Sequence, residues 1–379
     1  MRTASSKSNR LEHLDSLRGI AALAVALFHC LIRFSGPDQL GINALLGSCA
    51  VLFFFVLSGF VLGRSLERSP ASSVRSYAAY ACRRVLRLYP AIFLALLVFA
   101  AINMLPAPPK SSLSVEAFMW PQYDILHQHP RWWLEELLLL RTRLCPVMWS
   151  LQAEFLCSLL LPIAAGFCAN SNARQLSLCV LFAILMTPAF FSGLSLYLPT
   201  NPISHSPLQY FFAFHLGYLI NKIPDLNALV TPPRSLWILT LGLLALVPIG
   251  SFGTSYSLGF SALPVSVSIL FAVLLAALVP GNIPALSKFL HSAPLAFIGR
   301  CSYSFYLLHC AAIHLGLWIL HLWLPGLVRH PVLLPALALF CLTLAISLPL
   351  AALAERFVER PCNQFGHRLS KGILTRKPN

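Results

Sequence analysis

Long apolar runs recur along most of this chain, and they restrict its fold more than any other sequence feature. A helix needs about 20 mainly apolar residues to cross a hydrocarbon core roughly 30 Å thick. Hydrophobic residues make up 58% of the 379-residue chain and charged residues only 10%, which is typical of polytopic membrane proteins. We therefore predict an all-α polytopic membrane protein with about ten transmembrane helices in a lipid bilayer. In chain order, the predicted helices span residues 14–34, 45–62, 89–105, 147–167, 176–191, 208–220, 236–249, 263–279, 297–324 and 333–354.

The basic residues indicate how the chain is oriented. Cytoplasmic loops of membrane proteins carry an excess of Lys and Arg. Most of the 27 Lys and Arg residues fall on one side of the membrane when both termini are placed in the cytoplasm. We therefore predict cytoplasmic N- and C-termini and an even number of spans. The net charge of +15 follows from this sidedness, so we expect no nucleic-acid partner.

One membrane domain accounts for nearly the whole length. We assign residues 1–13 to a cytoplasmic N-terminal tail, 14–361 to the membrane domain, and 362–379 to a basic cytoplasmic tail that we expect to be disordered. The first apolar run has no small-residue cleavage site after it, so we interpret it as an uncleaved anchor. The 11 Cys residues form no C-x-x-C pair and mostly lie in apolar runs. We interpret them as small apolar side chains and predict no metal site.

Ionisable residues lie inside several predicted spans, where each costs several kcal/mol and commonly marks function. With a rise of about 1.5 Å per residue, His29, Glu154 and His309 fall at similar depths in the outer half of the bilayer. A His oriented by a carboxylate is a general base that can activate a hydroxyl. A proton relay in a carrier uses the same residue types, and so does a structural Glu–His bridge. These residues alone leave the three interpretations open.

A cationic cluster lies near the predicted cytoplasmic face. Arg83 and Arg87 are four residues apart and share one helix face, with Arg84 beside them. Together with Arg18, near the start of the first span, and with Arg64 and Arg75, they are predicted to form a basic patch at the cytoplasmic mouth. Guanidinium groups bind phosphate in a bidentate manner, whereas anchoring to lipid headgroups is the simpler interpretation of such a patch.

Several catalytic motifs are absent from the sequence. It contains no G-x-x-x-x-G-K-[ST], G-x-G-x-x-G, H-E-x-x-H or G-x-S-x-G. Their absence argues against a nucleotide-driven pump, a zinc protease and a serine hydrolase.

Six segments, taken in order, resemble motifs of the integral-membrane acyltransferase-3 family, which O-acylates extracytoplasmic glycans. No single segment is specific, but the ordered set covers residues 14 to 361. The segments are LDSLRGIAALAVALFH (14–29), VLFFFVLSGFV (51–61), RRVLRLYP (83–90), WSLQAEF (149–155), GRCSYSFYLLH (299–309) and ERFVERP (355–361).

The resemblance implies a multi-pass enzyme of the cell inner membrane. It implies acyl-CoA as the donor on the cytoplasmic side, usually acetyl-CoA, and a hydroxyl of a cell-envelope or exported glycan as the acceptor on the other side. The residue roles that it implies are, in order, His29 and Arg18 as the essential pair, Glu154 as a helper of His29, Arg83, Arg84 and Arg87 as contacts of the CoA phosphates, and Ser302, Tyr303, Tyr306 and His309 as substrate-binding positions.

Two functions are therefore carried forward. The first is O-acylation, in which His29, oriented by Glu154, either removes the acceptor proton or carries the acyl group itself. The second is a carrier that exports an anionic solute by a His/Glu proton relay. The sequence does not identify the acceptor, the acyl length or the oligomeric state.

Overall fold

The helical fold positions every site residue discussed below. The computed structural model describes residues 5–35, 37–104, 130–142, 144–145, 147–167, 174, 177–178, 181, 210–222, 259–278, 284–329 and 331–375. Within these ranges the helices are α1 (Ser5–Leu31), α2 (Pro37–Arg68), α3 (Val74–Asn103), α4 (Arg131–Leu137), α5 (Met148–Phe167), α6 (Phe211–Ile220), α7 (Gly259–Leu278), α8 (Pro284–Leu290), α9 (Ala293–Trp323), α10 (Leu333–Ala354) and α11 (Arg360–Thr375). A 3₁₀ turn (Leu327–Arg329) precedes α10, and a π-helical segment (Glu355–Glu359) joins α10 to α11.

Six helical stretches in the described part of the chain are long and apolar enough to cross a membrane. They confirm the prediction of an all-α polytopic membrane protein. Two shorter apolar helices, Phe211–Ile220 and Val265–Leu278, coincide with two further predicted spans. The predicted spans 236–249 and 176–191 lie outside the described residues, apart from positions 177, 178 and 181. The count of ten and the cytoplasmic termini therefore stay predictions. The six stretches are His13–Leu31, Leu46–Arg68, Val74–Ile102, Met148–Phe167, Ala293–Trp323 and Leu333–Thr375.

Helix α1 packs against α9 through a pair of glycines. A Cβ added to Gly19 would lie 2.9 Å from the backbone nitrogen of Gly299, and one added to Gly299 would overlap the carbonyl of Asp15. Small residues allow membrane helices to approach this closely. The contact brings the middle of α1, which carries Arg18, against the first turns of α9.

Helix α3 is joined to α5 by two tyrosines. Tyr77 donates its hydroxyl to the Leu159 carbonyl at 3.0 Å, and Tyr80 donates to the Ser158 carbonyl at 2.7 Å. The Ser158 carbonyl is available because Pro162, four residues later in the helix, has no N–H to donate to it. These bonds set the face of α5 that looks toward the arginines of α3.

The C-terminal segment differs from the sequence expectation. The chain continues from α10 through the π-helical segment into α11, which ends at Thr375. The expectation of a disordered tail is therefore wrong for residues 362–375. The whole helical stretch has 43 residues, so it is about 65 Å long. Since this is twice the thickness of a hydrocarbon core, α11 extends beyond the core, where it packs on α3.

Candidate active site

A cavity of about 200 Å³ lies between α1, α2, α3, α5, α9 and α11. We call it the arginine cavity, because Arg18, Arg83, Arg84 and Arg87 all line it. Its wall is otherwise largely apolar, with Phe and Leu side chains from α2 and α3. Four of the six arginines that the sequence assigned to one basic patch therefore meet in this cavity, whereas Arg64 and Arg75 do not line it. The other lining residues are Val51, Phe54, Phe55, Ser58, Val61, Leu62, Ser65, Tyr80, Leu88, Ser150, Leu151, Glu154, Ser302, Tyr303, Tyr306, Asn363 and His367.

The arginines of α3 have different environments. The Arg84 residue is only 7% exposed, and its Nη2 lies 3.1 Å from Glu154 Oε1 while its Nε donates to Ser158 Oγ at 3.2 Å. Arg87 keeps exposed surface because it borders the cavity. Arg87 has two like-charged neighbours, Arg18 and Arg84, and two carboxylate neighbours, Glu154 and Glu359. Arg84 is thus held by protein partners, whereas Arg87 faces the cavity.

Arg18 contributes a further guanidinium from the middle of α1. Its Nη1 lies 2.8 Å from Oδ1 of Asp15, one turn earlier on the same helix. The ion pair is partly exposed, so its net contribution to stability is small. Its effect is to orient the Arg18 side chain where that side chain borders the cavity.

Glu154 has a different partner from the one expected. The sequence predicts that it orients His29, but its Oε1 lies 3.1 Å from Arg84 Nη2 and accepts from Ser58 Oγ at 3.5 Å. Depth along a helix was predictable from residue spacing, but the direction in which Glu154 points depends on how α5 rotates against α3. The tyrosine bonds between these helices turn Glu154 toward Arg84. Its catalytic role stays a prediction.

His29 faces the interior of the bundle, where it meets His309 of α9. The two ring centroids are 5.3 Å apart. His309 is fully buried, and its Nδ1 lies 2.6 Å from the Tyr306 carbonyl. Because a carbonyl can only accept, Nδ1–H is the donor, which leaves Nε2 as the acceptor nitrogen of the neutral ring. Nε2 lies 3.6 Å from the Cys310 Sγ.

Tyr306 connects the imidazole pair to the arginine cavity. Its ring centroid is 5.7 Å from that of His309, and the residue also lines the cavity. Ser150 donates its hydroxyl to the Val147 carbonyl at 2.9 Å, so its Oγ accepts from the Tyr306 hydroxyl at 2.7 Å. This chain of bonds holds the Tyr306 ring between the cavity and His309.

The other predicted residues of α9 lie on the same side of the helix. Ser302, Tyr306 and His309 are spaced by four and three residues, which places them on one face. Ser302 donates to the Gly299 carbonyl at 2.8 Å and Tyr303 donates to the Leu88 carbonyl at 3.0 Å. Both line the cavity, while His309 lies about one turn beyond it.

Several residues of the site were not singled out by the sequence. Ser150 precedes Glu154 by four residues, so their shared helix face was a usable signal. Glu359 accepts from the backbone N–H of Ser304 at 3.1 Å and from its hydroxyl. It belongs to the closing ERFVERP segment, for which the sequence predicts no role. Asn363 and His367 line the cavity from α11, and nothing in their local sequence indicates this.

The described residues hold no group of three or more His, Cys, Asp or Glu side chains that could bind a metal ion. The polar groups of the cavity are guanidinium, hydroxyl, imidazole and amide groups with one carboxylate. Guanidinium groups in such a set can bind anions, and imidazole and carboxylate groups can accept and donate protons.

Helices that can span a membrane, with a cationic cavity beside an imidazole pair, define a polytopic membrane protein with a candidate site for an anionic substrate. A family model described as an acyltransferase domain matches residues 11–352. The chain therefore belongs to the acyltransferase-3 family and is an acyltransferase.

One curated relative supports this assignment. The chain is 28% identical over 383 aligned residues to Acyltransferase MdmB of Streptomyces mycarofaciens, and the alignment covers 93% of this chain and 92% of that protein. No solved structure gives a significant match.

Proposed function

We propose that the protein transfers an acyl group, preferentially acetyl, from cytoplasmic acyl-CoA to a hydroxyl of a cell-envelope or exported glycan, as an enzyme of the cell inner membrane. The observation that carries the proposal is a path of contacts: Tyr306 lines the arginine cavity and packs against His309, whose ring neighbours the ring of His29. One end of this path suits an anionic donor, and the other holds groups that can accept a proton.

The charge of the cavity supports an anionic donor. Four guanidinium groups border it against one carboxylate, and that carboxylate already neutralises Arg84. Charged groups attract each other far more strongly where protein excludes water. The phosphates of CoA carry the complementary charge, and the apolar walls accommodate the pantetheine arm and a short acyl chain.

The proposed chemical step uses the imidazole pair. The acceptor oxygen attacks the thioester carbonyl carbon while His29 takes the hydroxyl proton. The C–S bond then breaks, the ester forms, and the proton returns from His29 to the CoA sulfur. The His309 Nδ1–H donates to the Tyr306 carbonyl. We therefore assign His309 a positioning role, in which its ring packs beside the ring of His29. In the second version of this step, His29 carries the acyl group transiently.

The test is label transfer from radioactive acetyl-CoA to glycan by purified full-length protein in lipid nanodiscs. We expect His29→Ala to lower the rate by roughly 10²- to 10⁴-fold, the range for loss of a general base. His321→Ala is the matched control, because His321 is a partly buried His at the far end of α9 that donates to its own helix. Transfer by His29→Ala at the wild-type rate would refute the assignment.

Trapping experiments separate the two versions of the step. Label that remains on the wild-type protein after denaturation, and is absent from His29→Ala, identifies His29 as an acyl carrier. Label found only on the glycan identifies it as a proton acceptor. The carrier alternative predicts solute flux without acyl transfer, and membership of an acyltransferase family favours the enzyme over it.

A further inference from the structure

A second cavity of about 440 Å³ lies between the start of the spanning part of α1, the end of α2, and α11. We call it the basic chamber, because Arg64, Arg68, Arg83 and Lys371 all line it. None of the described residues that line it is acidic. Its size is within the range typical of small-molecule sites, roughly 300–1,000 Å³. The remaining lining residues are Leu14, Val61, Ser65, Ser69, His367, Ser370 and Leu374.

The basic chamber adjoins the arginine cavity. Four residues line both spaces, namely Val61, Ser65, Arg83 and His367. The two spaces therefore adjoin, with the basic chamber on one side and the arginine cavity, which Tyr306 lines, on the other; together we call them the passage. A long ligand with an anionic head and a thin arm has the shape of this passage.

Helix α11 forms one wall of the whole passage. Asn363 lines the arginine cavity, His367 lines both spaces, and Lys371 lines the basic chamber. These residues are four apart in sequence, so they form one stripe along the helix. At about 1.5 Å per residue the stripe runs for roughly 12 Å, from the inner space to the outer one.

Small residues hold this stripe in place. Gly366 and Ser370 are four residues apart and both are buried. A Cβ added to Gly366 would lie 3.1 Å from the Leu86 Cβ. This spacing of small residues allows two helices to pack closely, so α11 is docked on α3 beside Arg83. The stripe is therefore part of the folded protein rather than of a tail.

The positive charge of the basic chamber is not cancelled by its nearest acidic neighbour on α2. Glu67 lies between Arg64 and Arg68 in sequence, but its Oε1 is 3.4 Å from the Nζ of Lys222. The chamber thus presents four cationic side chains without a lining carboxylate. Phosphate groups are the ligands that such clusters bind.

We propose that α11 is part of the donor site, and that Lys371 with Arg64, Arg68 and Arg83 binds the phosphorylated nucleotide end of the acyl donor. The donor arm then passes His367 into the arginine cavity. This proposal rests on the proposed function and refines it, since it moves the phosphates from Arg84, which is paired with Glu154, into the basic chamber. An anionic lipid headgroup offers the same phosphate chemistry, and the experiment distinguishes the two sources.

The test measures binding of acetyl-CoA and of 3′-phospho-ADP, the nucleotide part of CoA, to the full-length protein in nanodiscs of neutral lipid. We expect Lys371→Ala to weaken both by about tenfold and to reduce the salt dependence of binding, because one charge-assisted bond to phosphate is lost. S-acetylpantetheine, which lacks the nucleotide, should support transfer by Lys371→Ala and wild type equally. Arg368→Ala is the matched control, because Arg368 is an exposed basic residue of α11 that lines neither space.

Each outcome decides a different claim. If the wild type binds acetyl-CoA and Lys371→Ala binds it equally well, this inference is wrong while the proposed function stands. If the wild type binds neither acetyl-CoA nor 3′-phospho-ADP, both are wrong. If Lys371→Ala loses binding of anionic lipid in nanodiscs of mixed composition but keeps nucleotide affinity, the chamber is a lipid site. Lys371→Arg keeps the charge and should retain most of the affinity, which excludes misfolding as the cause.

Discussion

Replacing Glu154 by Gln tests whether this carboxylate acts through Arg84. The two side chains are 8% and 21% exposed for Arg84 and Glu154, with 3.1 Å between Nη2 and Oε1. At an effective dielectric constant near 20, opposite charges at this distance attract by about 5 kcal/mol. Removing one partner of a buried pair costs about 3–5 kcal/mol. Gln still accepts one bond from Arg84, so we expect a loss of about 2–3 kcal/mol.

Equilibrium unfolding in mixed detergent micelles measures this loss. Glu355→Gln is the matched control, because Glu355 lies at the same 3.1 Å from Nη2 of Arg360, whose side chain is 56% exposed. An exposed pair of this kind contributes less than about 1 kcal/mol. The two carboxylates share the shortest contact distance and differ in the burial of the partner, although Arg360 also reaches Glu355 through its Nε at 3.2 Å.

A double-mutant cycle shows which partner Glu154 acts through. We expect strong coupling, above about 1 kcal/mol, between Glu154→Gln and Arg84→Gln, and near-additive effects on stability for Glu154→Gln with His29→Ala. The reasoning is refuted if Glu154→Gln is no more destabilising than Glu355→Gln, or if the coupling appears with His29 instead of Arg84.

Two further perturbations test the positioning of the site. Tyr306→Phe removes the bond to Ser150, so we expect kcat to fall about tenfold with unchanged donor affinity, and Ser150→Ala to have a similar effect; a rise in donor Kd with unchanged kcat would contradict this. Gly19→Leu forces α1 away from the α9 backbone, so we expect the yield of folded protein in size-exclusion chromatography to collapse. Gly166→Leu, where a Cβ meets no atom within 4 Å, should keep that yield, and equal yields of the two variants would show that the close contact is unimportant.

Local patterns in the sequence were enough to predict several parts of the site. The face of α9 that carries Ser302, Tyr306 and His309 follows from helical periodicity, and so does the pairing of Arg83 with Arg87 on α3. Ser302 and Tyr306 of α9 meet Arg83 and Arg87 of α3 at one cavity once the apolar runs pack together as a helical bundle. Glu154 was placed at a plausible depth, but its partner was wrong.

The C-terminal helix was misjudged for a different reason. Residues 362–375 contain basic and polar side chains between a few apolar ones, which is also the composition of solvated tails. Phe365, Leu369 and Ile373 are spaced four residues apart, an amphipathic helix signal that the tail assignment did not use. The docking of this helix on α3 beside Gly366 is visible only in the structure. Local periodicity predicts the helix but not the segment that it packs against, so α11 could not be assigned to the cavity wall in advance.

The sequence and the tertiary structure determine different features of this protein, because the physical rules behind those features act over different distances along the chain. Hydropathy and helical spacing act within a single segment, so the chain alone determined that it forms membrane helices and which side chains share each helix face. The rotation of one helix against another depends on contacts between distant segments, such as Gly19 with Gly299 and Tyr80 with the Ser158 carbonyl. Those contacts decided that Glu154 meets Arg84, that His29 meets His309, and that α11 completes the cationic passage.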